Sequence, residues 1–205
     1  MDEIDVYLRR RSEIYTWMAR NSIAMVVLED TEGRRDPAVR YFSGHPSDAL
    51  LILTITGHCV LCPWDENLAY QKAQVDVVVP YTDFGRHPVA AIKGIAEQVG
   101  APHRSRIEIP AVTPYPVFLR YVEALPEYDV LCRETGVHTE IARMRSIKDE
   151  TEIALLEKAC DITNDIMDRI EDQVRSGKIA TELDVALLIE KEARKAGAEG
   201  TSFET

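Results

Sequence analysis

The chain has 205 residues, 45% of them hydrophobic, which suits one large domain, or one domain and part of another, with a real core. It carries 24 basic and 35 acidic side chains, a formal net charge of −11. That balance argues against a nucleic-acid or anionic-membrane surface, since both need a basic footprint. No apolar run approaches the ~20 residues of a bilayer span, and the acidic start Met1-Asp2-Glu3-Ile4-Asp5 is unlike a secretory signal. A cytosolic chain is expected.

The first predicted element is a helix in which Ile4, Leu8, Tyr15 and Met18 share a face while Arg9, Arg10, Arg11 and Arg20 meet water. The run Ile23-Ala24-Met25-Val26-Val27-Leu28 reads as a strand covered on both faces, ended by Thr31-Glu32-Gly33. Ala49–Leu53 and Val60–Cys62 form a predicted hairpin around Thr56-Gly57, and Val75–Pro80 is a further strand. A helix from Pro88 to about Val99 stops at Gly100. A short strand Arg106–Ile109, a helix Pro114–Glu123 and a strand Tyr128–Cys132 follow. This order predicts an α/β fold, a mixed β-sheet flanked by helices.

From about Arg143–Asp149 onwards the pattern changes. Residues 148–205 hold 8 basic and 15 acidic side chains, against 16 and 20 before them. Asp149-x-x-Glu152 is shaped like a capping box. Ile153, Leu156, Cys160, Thr163, Met167, Ile170 and Val174 then mark an amphipathic helix that Gly177 stops. Thr181-x-x-Asp184 opens a second helix that ends at Gly197. Two such helices leave apolar surface over, and Phe203 reads as the start of another strand. The expectation is one domain over residues 1–142 and an incomplete second one over residues 143–205.

Cys59-Val60-Leu61-Cys62 is a CxxC, but its flanks read as strand. Residues three apart on a strand point to opposite faces and lie ~10 Å apart, beyond the ~7 Å reach of a disulfide. With Cys132 and Cys160 far apart in sequence, no second pair completes a zinc ribbon, and buried reduced thiols are expected. His45, His58, His87, His103 and His138 form no HxxxH or HExxH pair. No GxSxG elbow and no phosphate-cradling glycine loop occurs. No self-contained catalytic constellation is visible.

Three stretches together resemble one family. Val39-Arg40-Tyr41-Phe42-Ser43-Gly44 is similar to the (V/I)RYL(T/S)G(F) segment in the N-terminal domain of creatinases, prolidases and aminopeptidases P. Arg143-x-Arg145-x-Ile147-Lys148-Asp149-Glu150-x-Glu152-Ile153, followed by Lys158-Ala159, resembles the junction where that family enters its pita-bread catalytic domain. Gly177-x-x-x-Thr181-Glu182-x-Asp184-Val185-Ala186, then Gly197-Ala198-Glu199-Gly200-Thr201-Ser202-Phe203, resembles the family's run ahead of its Ser-Phe motif.

The resemblance implies a creatinase-type N-terminal domain followed by the first two helices of a truncated pita-bread domain. It implies a homodimer and, in the intact enzyme, a proline-containing peptide substrate cleaved at an Xaa-Pro bond. It also implies two divalent metal ions held by two Asp, one His and two Glu that lie downstream, so that this chain alone carries no metal ligand or catalytic residue. By matching position, Arg40, Tyr41, Gly44 and His45 are the residues expected at the partner's active-site mouth. His45 stands where Phe is often found. Strand-end packing is the competing reading for Tyr41 and Phe42, and a φ > 0 turn for Gly44. A creatinase-like non-peptidase and a stand-alone dimerisation or binding module are the alternatives.

Overall fold

The computed structural model describes residues 3–202, with side chains from residue 6 onwards. The expected strand at Phe203 lies outside those residues, and the expected facing of Ile4 lies outside the described side chains. The chain forms two compact units, Met1–Ser146 and Ile147–Thr205.

In the first unit, α1 (Glu3–Asn21) leads into β1 (Ile23–Asp30), α2 (Pro37–Ser43), β2 (Ala49–Thr54), β3 (Cys59–Pro63) and α3 (Glu66–Lys72). Next come β4 (Val77–Val78), a short 3-10 turn at Tyr81–Phe84, α4 (Pro88–Gln98), β5 (Arg106–Glu108), α5 (Tyr115–Ala124), β6 (Asp129–Leu131) and α6 (Val137–Ser146). The strands make one sheet in the order β4-β3-β2-β1-β5-β6. β2 pairs antiparallel with β1 and β3, and the remaining pairs are parallel, so β2 alone runs against the other five strands. The predicted mixed sheet with flanking helices is the fold observed.

Alternation along the strands builds two cores, because successive side chains point to opposite faces. Val26, Leu28, Leu51, Leu53, Cys59 and Leu61 pack with α1, α2 and α6 on one face. Met25, Val27, Leu50, Ile52, Val60 and Cys62 pack with α4 and α5 on the other. The two thiols of the CxxC therefore sit in different cores, both buried and free. Burial pushes each up to about 12, which makes them inert.

Several expectations need correction. Met18 is buried and Tyr15 packs against the core as expected, but Leu8 is exposed while Ile14, Arg10 and Arg11 are buried. The predicted strand Val75–Pro80 pairs only at Val77–Val78. Asp76 instead uses its carboxylate to accept from the Cys59 amide at 2.7 Å, and Pro80 has no N–H to extend the ladder. The Tyr41-Phe42 segment lies in a helix, α2, where strand-end packing was the competing reading. The helices α3 and α6 had no counterpart in the sequence reading.

In the second unit, α7 (Glu150–Arg175) and α8 (Glu182–Lys195) each begin in a full capping box, on Asp149/Glu152 and Thr181/Asp184 respectively. Ile166 and Ala193 are buried, and Arg169 pairs with Glu192 at 2.6 Å. The stripe residues Ile153, Leu156, Met167 and Val174 are all exposed. Among the described residues no helix is long and apolar enough to cross a membrane.

Candidate functional site

The segment singled out in the sequence is α2 and the corner that follows it. Asp36 caps the helix by accepting from the Ala38 amide at 2.9 Å, and Pro37, with its φ preset for a first turn, comes next. The helix stops at Gly44, which has a φ of +72° and donates its N–H to the Arg40 carbonyl at 2.8 Å. A Cβ there would lie 2.9 Å from the Tyr7 hydroxyl and 3.2 Å from the Lys72 carbonyl. Glycine is thus required twice, for conformation and for space.

Two arginines fix this corner from α1. The Arg10 guanidinium lies 4.1 Å from the centre of the Tyr41 ring and donates to the Tyr41 carbonyl at 3.0 Å. Arg11 donates to the Phe42 carbonyl at 3.1 Å and also to the Gln74 carbonyl. The Gln74 amide in turn donates to the Ser43 carbonyl at 2.7 Å. These contacts satisfy carbonyls that the end of a helix leaves without intrahelical partners. Phe42 is fully buried and meets the Tyr41 ring edge-on at 5.1 Å.

The four residues named in the sequence are therefore brought to one corner but are not alike. Arg40 is exposed, Tyr41 and Gly44 are half-buried, and His45 is fully buried. Its backbone N–H donates to Ser43 Oγ at 3.1 Å, while neither ring nitrogen meets a hydrogen-bond partner. Burial pushes the His45 pKa down, opposed first by the Asp48 backbone and then by the carboxylates of Asp65, Asp30 and Asp48. With no exposure, its ring cannot touch another chain without moving.

Sequence reasoning missed Arg10 and Arg11 as corner-holding residues. Arg11 is in helical phase with Ile14 and Met18, and that spacing was the available signal. It also missed Glu108, a fully buried carboxylate at the end of β5. Arg133 grips it through Nε at 3.2 Å and Nη2 at 2.6 Å, and the Val137 amide donates to it at 3.0 Å. That arrangement ties the start of α6 to the sheet. Among the described residues, no group of three or more His, Cys, Asp or Glu side chains is placed to hold a metal ion.

Comparison with known proteins adds the following. Residues 10–147 match the family described as the creatinase/prolidase N-terminal domain. Over 204 residues the chain is 27% identical to an Xaa-Pro dipeptidase of Pyrococcus horikoshii, a match covering 98% of this chain and 52% of that protein. An X-Pro aminopeptidase from Thermotoga maritima superposes with a TM-score of 0.72 at 22% identity, over 94% of this chain and 51% of that one. A prolidase from Pyrococcus furiosus does so with a TM-score of 0.71 at 20% identity, over 94% and 54%. At such identities the superpositions speak for the fold. The chain spans about half the length of the curated relative it matches.

Proposed function

The chain belongs to the creatinase/prolidase N-terminal domain family through residues 10–147, and from that membership we propose that it is the N-terminal half of a metal-dependent Xaa-Pro peptidase. The observation that carries the reading is the 204-residue similarity to an Xaa-Pro dipeptidase, which continues past the family domain through α7 and α8. On this reading residues 143–205 open the pita-bread catalytic domain, and the exposed stripe of α7 is covered by the rest of it.

The described residues do not fit the two divalent ions that the family implies. Those ions belong to the following domain, where they would supply an activated water and a polarised carbonyl. What this chain contributes is position. It supports a cytosolic homodimer and presents the Arg40–Gly44 corner to the active-site mouth of a second copy. Arg10 holds the Tyr41 ring by a cation–π contact and a hydrogen bond, so a ring at that mouth would keep its place without ordering on each encounter. The exposed Arg40 would offer a guanidinium to a peptide carboxylate. A creatinase-like hydrolase remains the second reading, because the domain is shared and specificity lies outside it.

The test is steady-state kinetics on the intact enzyme with an Xaa-Pro dipeptide, comparing Arg40→Ala and Tyr41→Ala with the parent. The expected result is a KM raised about tenfold or more with a retained dimer in sedimentation. Unchanged kinetics in both variants would remove the corner from the active site.

A further inference from the structure

Buried polar side chains are hydrogen-bonded with few exceptions, and an exception asks for a reason. His45 is one: it is fully buried, and neither Nδ1 nor Nε2 meets a hydrogen-bond partner. It belongs to the irregular segment that joins α2 to β2, in which Pro46, Ser47 and Asp48 are half-buried. The Gly44 amide donates to the Arg40 carbonyl at 2.8 Å, the His45 amide to Ser43 Oγ at 3.1 Å and the Trp64 amide to the Asp48 carbonyl at 3.0 Å. The Asp48 carboxylate accepts from the Glu32 amide at 3.1 Å and pairs with Arg35 at 2.5 Å. These ties hold a surface stretch with no ladder of its own. Such a stretch opens locally at less than the global cost of unfolding.

We propose that His45 is an acid-operated latch. Neutral, its buried ring holds the segment 44–48 down; protonated, it leaves that seat for the neighbouring carboxylates, and the segment opens while the sheet stays folded. The neutral imidazole carries one N–H donor and the imidazolium two. A charged ring with two unmet donors costs far more in the interior than the neutral one, so protonation drives it outwards. The carboxylates that act on it are Asp48 on its own segment, Asp65 at the start of α3 and Asp30 at the end of β1. Hydrogen bonds and ion pairs place these three in one neighbourhood. Arg35 pairs with both Asp30 and Asp48, and Trp64, beside Asp65 in sequence, bonds the Asp48 carbonyl. Each carboxylate already accepts one backbone amide, from Asp36, Glu32 and Leu68 respectively for Asp30, Asp48 and Asp65, and has room for another donor. The cations and the phenol of neighbouring elements are placed otherwise. Arg10 and Arg11 of α1 donate to the carbonyls of Tyr41 and Phe42, Arg35 faces its two carboxylates, and the Tyr7 hydroxyl stands beside Gly44. The latch is a property of this chain and does not depend on the proposed peptidase role. On that role, acid would also withdraw the Arg40–Gly44 corner from the active-site mouth of a second copy.

The test is amide hydrogen exchange of the 205-residue chain, followed by NMR between about pH 7.5 and pH 5.5 and corrected for the pH dependence of exchange in an unstructured chain. The reporters are the amides of Gly44, His45 and Trp64, each bonded within the segment or onto it. The controls are the amides of Leu51 and Ile52, fully buried in β2. Reporter protection is expected to fall by up to about tenfold across that range, because the open state takes a proton at about pH 6.5 that the closed state resists. Control protection should hold. His45→Phe and His45→Gln replace the ring with side chains that do not titrate, and both should remove the fall. Reporters without pH dependence, an equal fall at reporters and controls, or a fall retained by whichever His45 variant folds would overturn the proposal.

Discussion

The Arg10 guanidinium stands 4.1 Å from the centre of the Tyr41 ring while its Nη1 donates to the carbonyl of the same residue at 3.0 Å. One side chain of α1 thus holds both the ring and the backbone of a residue 31 positions later. Truncating it removes a charged hydrogen bond and a cation–π contact together. Arg10→Ala should lower the unfolding free energy by about 2 kcal/mol. Arg10→Lys should recover less than half of that, because an ammonium lacks the planar fork. Urea denaturation of the three proteins checks this.

Gly44 combines a left-handed backbone with a crowded α-carbon. Gly44→Ala should cost about 1–2 kcal/mol from the backbone alone, and more from the Tyr7 hydroxyl. Adding Tyr7→Phe should return part of the loss and leave the backbone share. Equal stability of the single and double variants would mean that the close approach costs nothing.

Glu108 is the anchor of α6, and Gly136 is the residue that admits it. A Cβ on Gly136 would fall 1.7 Å from Glu108 Oε1, whose carboxylate is pinned by Arg133 and the Val137 amide. Gly136→Ala should therefore destabilise by about 2 kcal/mol, as a buried carboxylate loses donors. Arg133→Ala should cost at least as much, since it removes two of the three donors on a fully buried carboxylate and leaves only the Val137 amide. The order of the two midpoints in a thermal or urea melt is the check.

His45 gives a pH dependence with a definite sign. Its folded pKa is depressed by burial, so below about pH 6.5 the unfolded chain takes up a proton that the folded chain resists. Stability contributed by this residue is constant above that pH and falls as the pH drops through it. His45→Phe should flatten the fall between about pH 7.5 and pH 5.5, while carboxylate titration leaves a remainder below. Urea midpoints at both pH values, in both proteins, measure the difference.

Thiol reactivity separates Cys160 from the CxxC pair. Cys160 is exposed, whereas Cys59 and Cys62 are buried with pKa values pushed to about 12. A disulfide-exchange reagent should modify Cys160 promptly in the folded chain and reach the CxxC only on unfolding. Prompt modification of Cys59 or Cys62 would contradict the two-core arrangement.

Much of the sheet was legible because burial on both faces writes continuous apolar runs, as in Ile23–Leu28 and Ala49–Leu53. The starts of α7 and α8 were readable for a local reason, since a cap needs only two residues at fixed spacing. What escaped was long-range. Arg10 and Arg11 looked like solvent residues because their partners, the carbonyls of Tyr41, Phe42 and Gln74, are backbone atoms distant in sequence. Glu108 looked like an ordinary strand residue because Arg133 follows only after α5 and β6. His45 was grouped with exposed corner residues by sequence position, while the fold turned its ring inward.

The most direct measurement is release of proline from an Xaa-Pro dipeptide by the protein translated from the whole reading frame, with divalent metal, beside the 205-residue chain alone. The account predicts hydrolysis that requires metal and proline by the longer protein, none by the chain, and none of creatine by either. Creatine hydrolysis without Xaa-Pro cleavage, or metal-dependent peptide cleavage by the chain itself, would contradict it.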